Sequence, residues 1–519
     1  MLPYKRLIES LKSIVNPFKS NELDGATIET VLTSHEGVHA PPVRIPRPEH
    51  TVSREHISKY ALKVLYQLHH AGYQAFLVGG CVRDLLLNTT PKDFDVVTNA
   101  RPEQIRALFR NCRLIGKRFV LAHVHFGKEI IEVATFRAHH NDGKGGSTTT
   151  SGRIISDNVY GTIDEDAYRR DFTINALYYD ISDFSLLDYA NGMADLKAGV
   201  LRLIGDPVLR YQEDPVRMLR AVRFAAKLNF EIDSAAATPI FHLKGLLAGI
   251  PKARLYEEVQ KLFLTGHATQ SLVKLKQYGL LTPLFAETEK TLDDPYAEHL
   301  VHLALANTDA RFAKHQSVNP AFLLAALLWP PVAQRLPHLH AQGLPEQDAL
   351  LRAMQQVMSK QGQQLMIPRR IITQVQDIWL LQPRLTRRRG GYKSRLSVLG
   401  SPHFRAGYDF LQLRLAAGED LAYEVQIWTD LLHKHHHTPS PLEDKDAQYD
   451  ELSSSDVLES ESIEVVEPVE STTENHPSPP SSPHREPREH RGYPPTRFHK
   501  RRRRRPFSPS RPDSEGRDD

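Results

Sequence analysis

Three features of the sequence predict an α/β head followed by an all-α body, with disordered termini. A short apolar run, Phe76-Leu77-Val78, ends in Gly79-Gly80. An Asp93-Phe94-Asp95 triplet follows thirteen residues later and runs into Val96-Val97, and from Asp206 onward the apolar residues take up helical spacing. The first two features put a backbone-open turn and a carboxylate pair at strand ends, and the third marks where strand signals give way to helices. The boundaries that result are an N-terminal extension and linker over 1–52, the head over 53–205, the helical body over 206–437 and a tail over 438–519.

The head is built up in order. Residues 19–52 read as linker, because Gly37, Pro41, Pro42, Pro46 and Pro48 interrupt any periodicity. Ser53 is placed to cap a helix running to Ala71, with Ile57, Ala61, Val64, Leu65 and Leu68 on one face. After the strand ending at Val78, a helix runs from Cys81 to Leu87, and a further helix from Pro102 to Arg110 opens with proline at a permitted first-turn position. Two strands, Phe119–Phe126 and Glu129–Phe136, flank a tight turn at Gly127-Lys128, which makes a small mixed sheet. Residues 139–160, rich in Gly, Ser and Thr, read as a mobile loop beside the site. In the body, helices are expected over Asp214–Leu228, Arg254–Leu264, Ala268–Gln277, Pro320–Trp329 and His403–Leu415.

Composition narrows the class. A chain of 519 residues, 40% apolar, is long enough for several globular units. Two cysteines, Cys81 and Cys112, give no disulfide framework and no metal-knuckle spacing, and fit a reducing compartment as buried thiols. The longest apolar run, Ala321–Trp329, is far short of a ~20-residue membrane span and is halted by Pro330-Pro331. The first eighteen residues carry Lys5, Arg6 and Lys12 but no continuous apolar segment of a signal peptide, so the chain reads as cytoplasmic. A basic amphipathic helix touching RNA or a membrane surface is the alternative there. The net charge of +4 conceals segregation: Glu443–Glu474 holds twelve acidic residues against one lysine, and Arg485–Arg511 holds eleven Lys or Arg against two Glu. Both stretches are too poor in apolar residues to offset ordering entropy, and disorder is expected from about Thr438.

The chemistry concentrates in three clusters. As residues i and i+2 of a strand, Asp93 and Asp95 would hold their carboxylates side by side, and two like charges there share a proton or bind a cation. Hard oxygen donors suit Mg²⁺ bridged to substrate phosphates, and the side-chain-free Gly79-Gly80 backbone lets phosphates approach. Glu132, an acidic residue in an apolar strand, reads either as an edge residue facing water or as a third carboxylate. In Arg169-Arg170-Asp171-Phe172-Thr173-Ile174-Asn175-Ala176, the local reading is an N-terminal cap by Asp171 on a buried helix. In Glu213-Asp214-Pro215-Val216-Arg217, Asp214 and Arg217 sit on one helical face, where an ion pair contributes only tenths of a kcal/mol.

The order strand, Gly-Gly, helix with Arg83-Asp84, turn, Asp-Phe-Asp, strand resembles the nucleotidyltransferase superfamily that includes DNA polymerase beta, CCA-adding enzymes and poly(A) polymerases. FLVGGCVRDLLL, KDFDVVTNARPEQIRALFRNC, RRDFTINALYY and EDPVRMLRAVRFAAKL, across roughly residues 53–435, are similar to its class II group. The resemblance implies an α/β nucleotidyltransferase head and two-metal transfer, with Asp93 and Asp95 as Mg²⁺ ligands and Asp171 grouped with the catalytic carboxylates. It implies nucleotide contacts at Gly79, Gly80, Arg83, Arg170, Asn175, Asp214 and Arg217. The last two would template the base: a carboxylate accepts from an exocyclic amine while a guanidinium donates to the adjacent ring nitrogen, a pattern shared by adenine and cytosine.

Within the group, the run Leu114–Val124 with Lys117-Arg118, and IIEVATFRAHH after it, looks like the poly(A) polymerase branch. The Arg501–Arg505 run, with Tyr493, Phe498 and Phe507, reads as a flexible arm gripping single-stranded RNA without regard to sequence. The resulting expectation is AMP addition from ATP to RNA 3′ ends, with RNA-decay machinery as a partner. The runner-up is CCA addition to tRNA, and a noncatalytic RNA-binding protein is the alternative of another class. A metal-dependent phosphohydrolase lacks evident His-Asp pairs, since His139-His140 falls in the predicted loop and His435–His437 at the start of the tail.

Overall fold

The computed structural model describes residues 41–116, 120–138, 147–148, 154–156, 159–388 and 391–436. Lys117 and Arg118, most of the predicted loop and the whole tail with Arg501–Arg505 lie outside the described residues.

Eight strands form one mixed sheet: β1 (Val43–Ile45), β2 (Ala75–Val78), β3 (Asp95–Thr98), β4 (Cys112–Ile115), β5 (Leu121–Phe126), β6 (Glu129–Thr135), β7 (Leu177–Asp180) and β8 (Leu186–Asp188). Their spatial order is β1-β8-β7-β2-β3-β6-β5-β4, antiparallel throughout except for β3 against β6. Strand β2 is buried on both faces: Leu77 joins the main core with Val96 and Val133, while Phe76 and Val78 pack with Val97, Phe136 and Tyr178. That explains its continuous apolar run, which an alternating strand would lack.

Helix α1 (Lys59–His70) buries Ala61, Val64, Leu65 and Leu68, the face expected from the sequence. Its cap is Ser58, whose side chain accepts from Tyr60 N; Ser53 instead caps a separate 3-10 turn at Arg54–His56. Four prolines and a glycine leave no periodic signal before residue 50, yet Val43–Ile45, inside the predicted linker, pairs with β8 as an edge strand. Short helices α2 (Gly80–Leu86), α3 (Pro102–Leu108), α4 (Ile163–Tyr168) and α5 (Gly192–Ala198) complete the head.

Two expectations around the site change. Asp93 sits in the bend before β3, which begins at Asp95, so the two aspartates are not successive same-face strand residues. After Asp171 there is a 3-10 turn, Thr173–Asn175, and then β7. The apolar stretch that looked like a buried helix is an interior strand; periodicity alone does not separate the two over so few residues.

Helices follow: α6 (Pro207–Glu213), α7 (Val216–Leu228), α8 (Ser234–Leu243), α9 (Lys252–Phe263), α10 (Ala268–Gln277), α11 (Thr282–Glu289), α12 (Pro295–Ala313), α13 (Pro320–Ala341), α14 (Glu346–Gln364), α15 (Arg369–Leu385), α16 (Tyr392–Leu399), α17 (Phe404–Ala417) and α18 (Ala422–His436). One continuous core joins head and body, with Phe172 edge-on to Phe224 at 5.6 Å between ring centroids. Helix α13 does not stop at Pro330-Pro331 but runs on to Ala341. Pro331 has no N–H for the Leu327 carbonyl four residues back, and the Thr288 hydroxyl supplies the missing hydrogen bond at 2.8 Å. Among the described residues no helix is long and apolar enough to cross a membrane.

Candidate active site

The site is assembled where β2 ends and β3 and β7 begin, beside the middle of β6. Gly79 leaves β2 with φ of 79°, a left-handed conformation that a side chain disfavours. Its open side faces two groups at once: a Cβ there would lie 3.6 Å from Arg170 Nη1 and 3.9 Å from Asp95 Oδ2. Gly80, next in the chain, opens toward Arg83 Nη2 at 3.5 Å. The glycine pair thus borders a nook with a carboxylate and a guanidinium edge, as phosphate approach requires.

Strand register adds a second carboxylate. Asp95 is the parallel partner of Glu132, and Glu132 the antiparallel partner of His123, so the three side chains share one face across adjacent strands. His123 Nε2 lies 3.5 Å from Glu132 Oε1. Burial, then the charges of Glu132 and Asp93, push the Asp95 carboxyl up to about 6, opposed by Arg170. Burial and Asp93 also raise Glu132. Three carboxylates under mutual repulsion, with one arginine opposing, are a donor set that a divalent cation fits. Among the described residues no three His, Cys, Asp or Glu side chains close around one point, and Mg²⁺ characteristically takes one or two carboxylates together with substrate oxygens. Cys81, beneath the turn, is a free buried thiol pushed up to about 12 by burial and by Asp95; Cys112 is free and buried as well.

Asp171 is placed differently. Its Oδ2 accepts from Arg220 Nε at 2.7 Å and from Nη2, and its Oδ1 accepts from Phe172 N at 2.9 Å and Asn175 Nδ2 at 3.2 Å. Burial works against the charge, but Arg220, Asn175 and the backbone donor hold this carboxyl well below the usual range. Asn175 in turn accepts from Arg83 Nη1 at 2.6 Å, and Arg83 is bound through Nε and Nη2 to Asp84, which Lys227 also reaches at 3.1 Å. Arg83, 2% exposed, lies over the Phe224 ring. Arg83, Asn175 and Asp171 are therefore brought together in a buried chain of alternating charge that ties α2 to α7.

The third cluster also rearranges the expected pairing. Asp214 lies between α6 and α7, and both its oxygens take donors from Arg254, at 2.9 and 2.7 Å. Arg217 instead donates through Nη1 to Glu213 at 2.8 Å and to the Arg210 carbonyl at 2.7 Å. Arg210 stitches this cluster to the nook, donating at 2.6 Å to the carbonyls of both Arg169 and Arg170. Arg220, Arg254 and the bonds of Arg210 to the Arg169 and Arg170 carbonyls carry no local sequence signal, since those partners lie about 40 residues or more away; Arg210 also donates to Glu213, three residues on, at 2.7 Å. The one available cue was the Thr162-x-x-Glu165 capping box that opens α4 and sets Asp166 four residues before Arg170.

A mixed sheet that ends in a Gly-Gly turn, faced by an Asp-Phe-Asp carboxylate and an arginine, defines a nucleotidyltransferase. The family described as Poly A polymerase head domain matches residues 75–202, that described as Probable RNA and SrmB-binding site of polymerase A matches 229–292, and that described as Polymerase A arginine-rich C-terminus matches 342–454. The Poly(A) polymerase I of Salmonella typhimurium is 51% identical over 396 residues, 74% of this chain and 85% of that one. The CCA-adding enzyme of Lactobacillus helveticus is 38% identical over 213 residues, 41% of this chain and 51% of that one. An apo structure of a CCA-adding enzyme shares the fold, with a TM-score of 0.51 at 21% identity over 74% of this chain and 84% of the other. The chain belongs to the bacterial poly(A) polymerase family and is a polynucleotide adenylyltransferase.

Proposed function

We propose that the nook at Gly79 is where the α-phosphate of ATP meets an RNA 3′ hydroxyl. The hydroxyl gives its proton up to water, its oxygen bonds to the α-phosphorus, the bond from that phosphorus to the α–β bridging oxygen breaks, and pyrophosphate departs with the electron pair of that bond. The observation that carries this reading is the convergence of Asp95 Oδ2 and Arg170 Nη1 on the open side of Gly79. A carboxylate on one side suits the attacking end and a cation on the other suits the departing phosphates, with no side chain between them.

Asp93 and Asp95 would hold Mg²⁺, with Glu132 alongside. When bound, the ion would stabilise charge on the attacking and leaving oxygens. The chain's own residues do the rest by positioning. Gly79 and Gly80 admit the phosphates to the backbone, and Arg170 Nη1 faces them. Asp171, held by Arg220, orients Asn175, and Asn175 and Arg83 together fix the turn below. Arg217, braced by Glu213 and the Arg210 carbonyl, offers its remaining N–H groups to the base edge, while Asp214 joins in only by releasing Arg254. An acceptor ring nitrogen beside an amine answers that donor in adenine.

CCA addition remains the second reading, but the CCA-adding relative of Lactobacillus helveticus matches in sequence over 41% of the chain, against 74% for the Poly(A) polymerase I of Salmonella typhimurium. A noncatalytic role has no such support, since every carboxylate and arginine of the nook is present. The partners we propose are single-stranded RNA 3′ ends and, in a cytoplasmic setting, RNA-decay machinery. Extension of a generic RNA by purified full-length protein with Mg²⁺ and single nucleotides tests the assignment. A long homopolymer with ATP alone is expected, and growth limited to C-C-A on tRNA ends would move the chain to the second reading.

A further inference from the structure

Arg170 is held by an unusually complete set of buried contacts on one edge and left open on the other. Its Nε donates to Tyr178 Oη at 2.8 Å and to Asp166 Oδ2 at 3.2 Å, and its Nη2 donates to Asp166 Oδ2 at 2.9 Å. Tyr178 closes the triangle by donating to the same Asp166 oxygen at 2.8 Å. Asp166 is 2% exposed and Tyr178 wholly buried, so these bonds compete with little solvent. The remaining Nη1 points to the space beside Gly79 and Asp95.

The fold explains why that edge arrives there. Val78 of β2 and Tyr178 of β7 are antiparallel register partners, so the Tyr178 phenol stands beside the strand that delivers Gly79. Asp166 and Arg170 are four apart across the end of α4, whose capping box fixes its start. Two elements distant in sequence therefore meet on one guanidinium.

We propose that Asp166 and Tyr178 are positioning residues: they lock the Arg170 guanidinium so that Nη1 stands ready for the β- and γ-phosphates of ATP and for departing pyrophosphate. The inference rests on the reading of Arg170 as a phosphate contact and adds how that contact is prepared. An unrestrained arginine loses rotamer freedom on binding, whereas one locked beforehand does not, so the clamp raises phosphate affinity without touching the ligand. The mutual charges sustain it: although burial favours the neutral guanidinium, Tyr178 and Asp166 hold it protonated, and Arg170 and Arg137 keep the Asp166 carboxyl below its ordinary range despite burial.

The test is inhibition of full-length enzyme by pyrophosphate and by AMP, with Mg²⁺ present, in Tyr178→Phe, Asp166→Asn, Arg170→Ala and the Arg170→Ala/Tyr178→Phe pair. Phenylalanine keeps the ring packed edge-on to Phe76 and Tyr189, so thermal melting should show a folded protein. Loss of the two hydrogen bonds that the Tyr178 hydroxyl makes, with Arg170 and with Asp166, should weaken pyrophosphate and raise the ATP KM about three- to tenfold, leaving AMP within about twofold. The double variant should bind pyrophosphate no more weakly than Arg170→Ala alone. Unchanged pyrophosphate affinity in Tyr178→Phe and Asp166→Asn, or an equal loss for pyrophosphate and AMP, would overturn the clamp. Unchanged affinity in Arg170→Ala would instead overturn the underlying assignment of Arg170.

Discussion

Asp95 and Asp171 are two partly buried aspartates of one head, and their surroundings drive them in opposite directions. Asp95 is crowded by Glu132 and Asp93 against a single arginine, and its carboxyl rises to about 6. Asp171 has donors on both oxygens, including Arg220 through two nitrogens, and its carboxyl is held far down. The first site has negative charge without enough positive partners, so it gains from a cation. The second is already neutralised and gains from nothing added. Chemistry is therefore expected at Asp95 and architecture at Asp171, although both belong to motifs that the family resemblance groups together.

The largest effect that can break this contrast is on catalysis. Asp95→Asn should lower AMP incorporation by about a thousandfold or more, in line with the loss of a principal electrostatic contributor. The same variant should make the metal-free protein more stable at pH 7, on the order of 2 kcal/mol, because it removes an ionised group that the fold disfavours. Lower stability, measured by denaturant unfolding in chelator, would show that Asp95 is already satisfied without a cation.

Asp171→Ala should do the reverse. It leaves Arg220, whose side chain is 31% exposed, and the Asn175 and Phe172 donors without their acceptor, and should cost about 1–3 kcal/mol of stability. If unfolding midpoints are unchanged while incorporation disappears, Asp171 acts in the chemistry directly.

The pH dependence carries opposite signs at the two sites. Asp95 has a folded value raised from 3.8, so its contribution to stability is full below about pH 4 and is lost as pH rises through about 6. Asp171 has a folded value depressed below 3.8, so its contribution is present above about pH 4 and is lost as pH falls through the folded value. In metal-free protein, Asp95→Asn should flatten the decline between about pH 4 and 6, and Asp171→Asn should leave that window unaltered.

The smallest effect lies at the rim of the buried chain. Lys227 reaches Asp84 from a partly exposed position, and Lys227→Met should cost no more than about 1 kcal/mol, since Arg83 still pairs with Asp84. A larger loss in unfolding measurements would mean that the chain behaves as one unit up to its edge.

The contrast was only half legible in the sequence. Gly79 and the Asp-Phe-Asp triplet announce themselves by local spacing, and Glu132 stood out as an acidic residue in an apolar strand, but only the strand register decides that it faces Asp95. What surrounds Asp171 was invisible, because Arg220 comes from a helix 49 residues away. For the same reason Asp214 looked like the partner of Arg217, three residues on, when its oxygens belong to Arg254. RRDFTINAL read as a helix start because an apolar strand buried on both faces has no alternation to reveal it. Pro330-Pro331 read as a stop because the donor that repairs the helix, Thr288, lies on another helix.

The most direct measurement is calorimetric titration of metal-free, full-length protein with Mg²⁺ at pH 5 and pH 7.5, for the wild type, Asp95→Asn and Asp171→Asn, at a temperature where all three are folded. Ligation requires the ionised carboxylate, so binding should be tighter at pH 7.5, absent or strongly weakened in Asp95→Asn, and retained in Asp171→Asn. Binding that survives in Asp95→Asn, or that is lost in a folded Asp171→Asn, would contradict the division between the two aspartates.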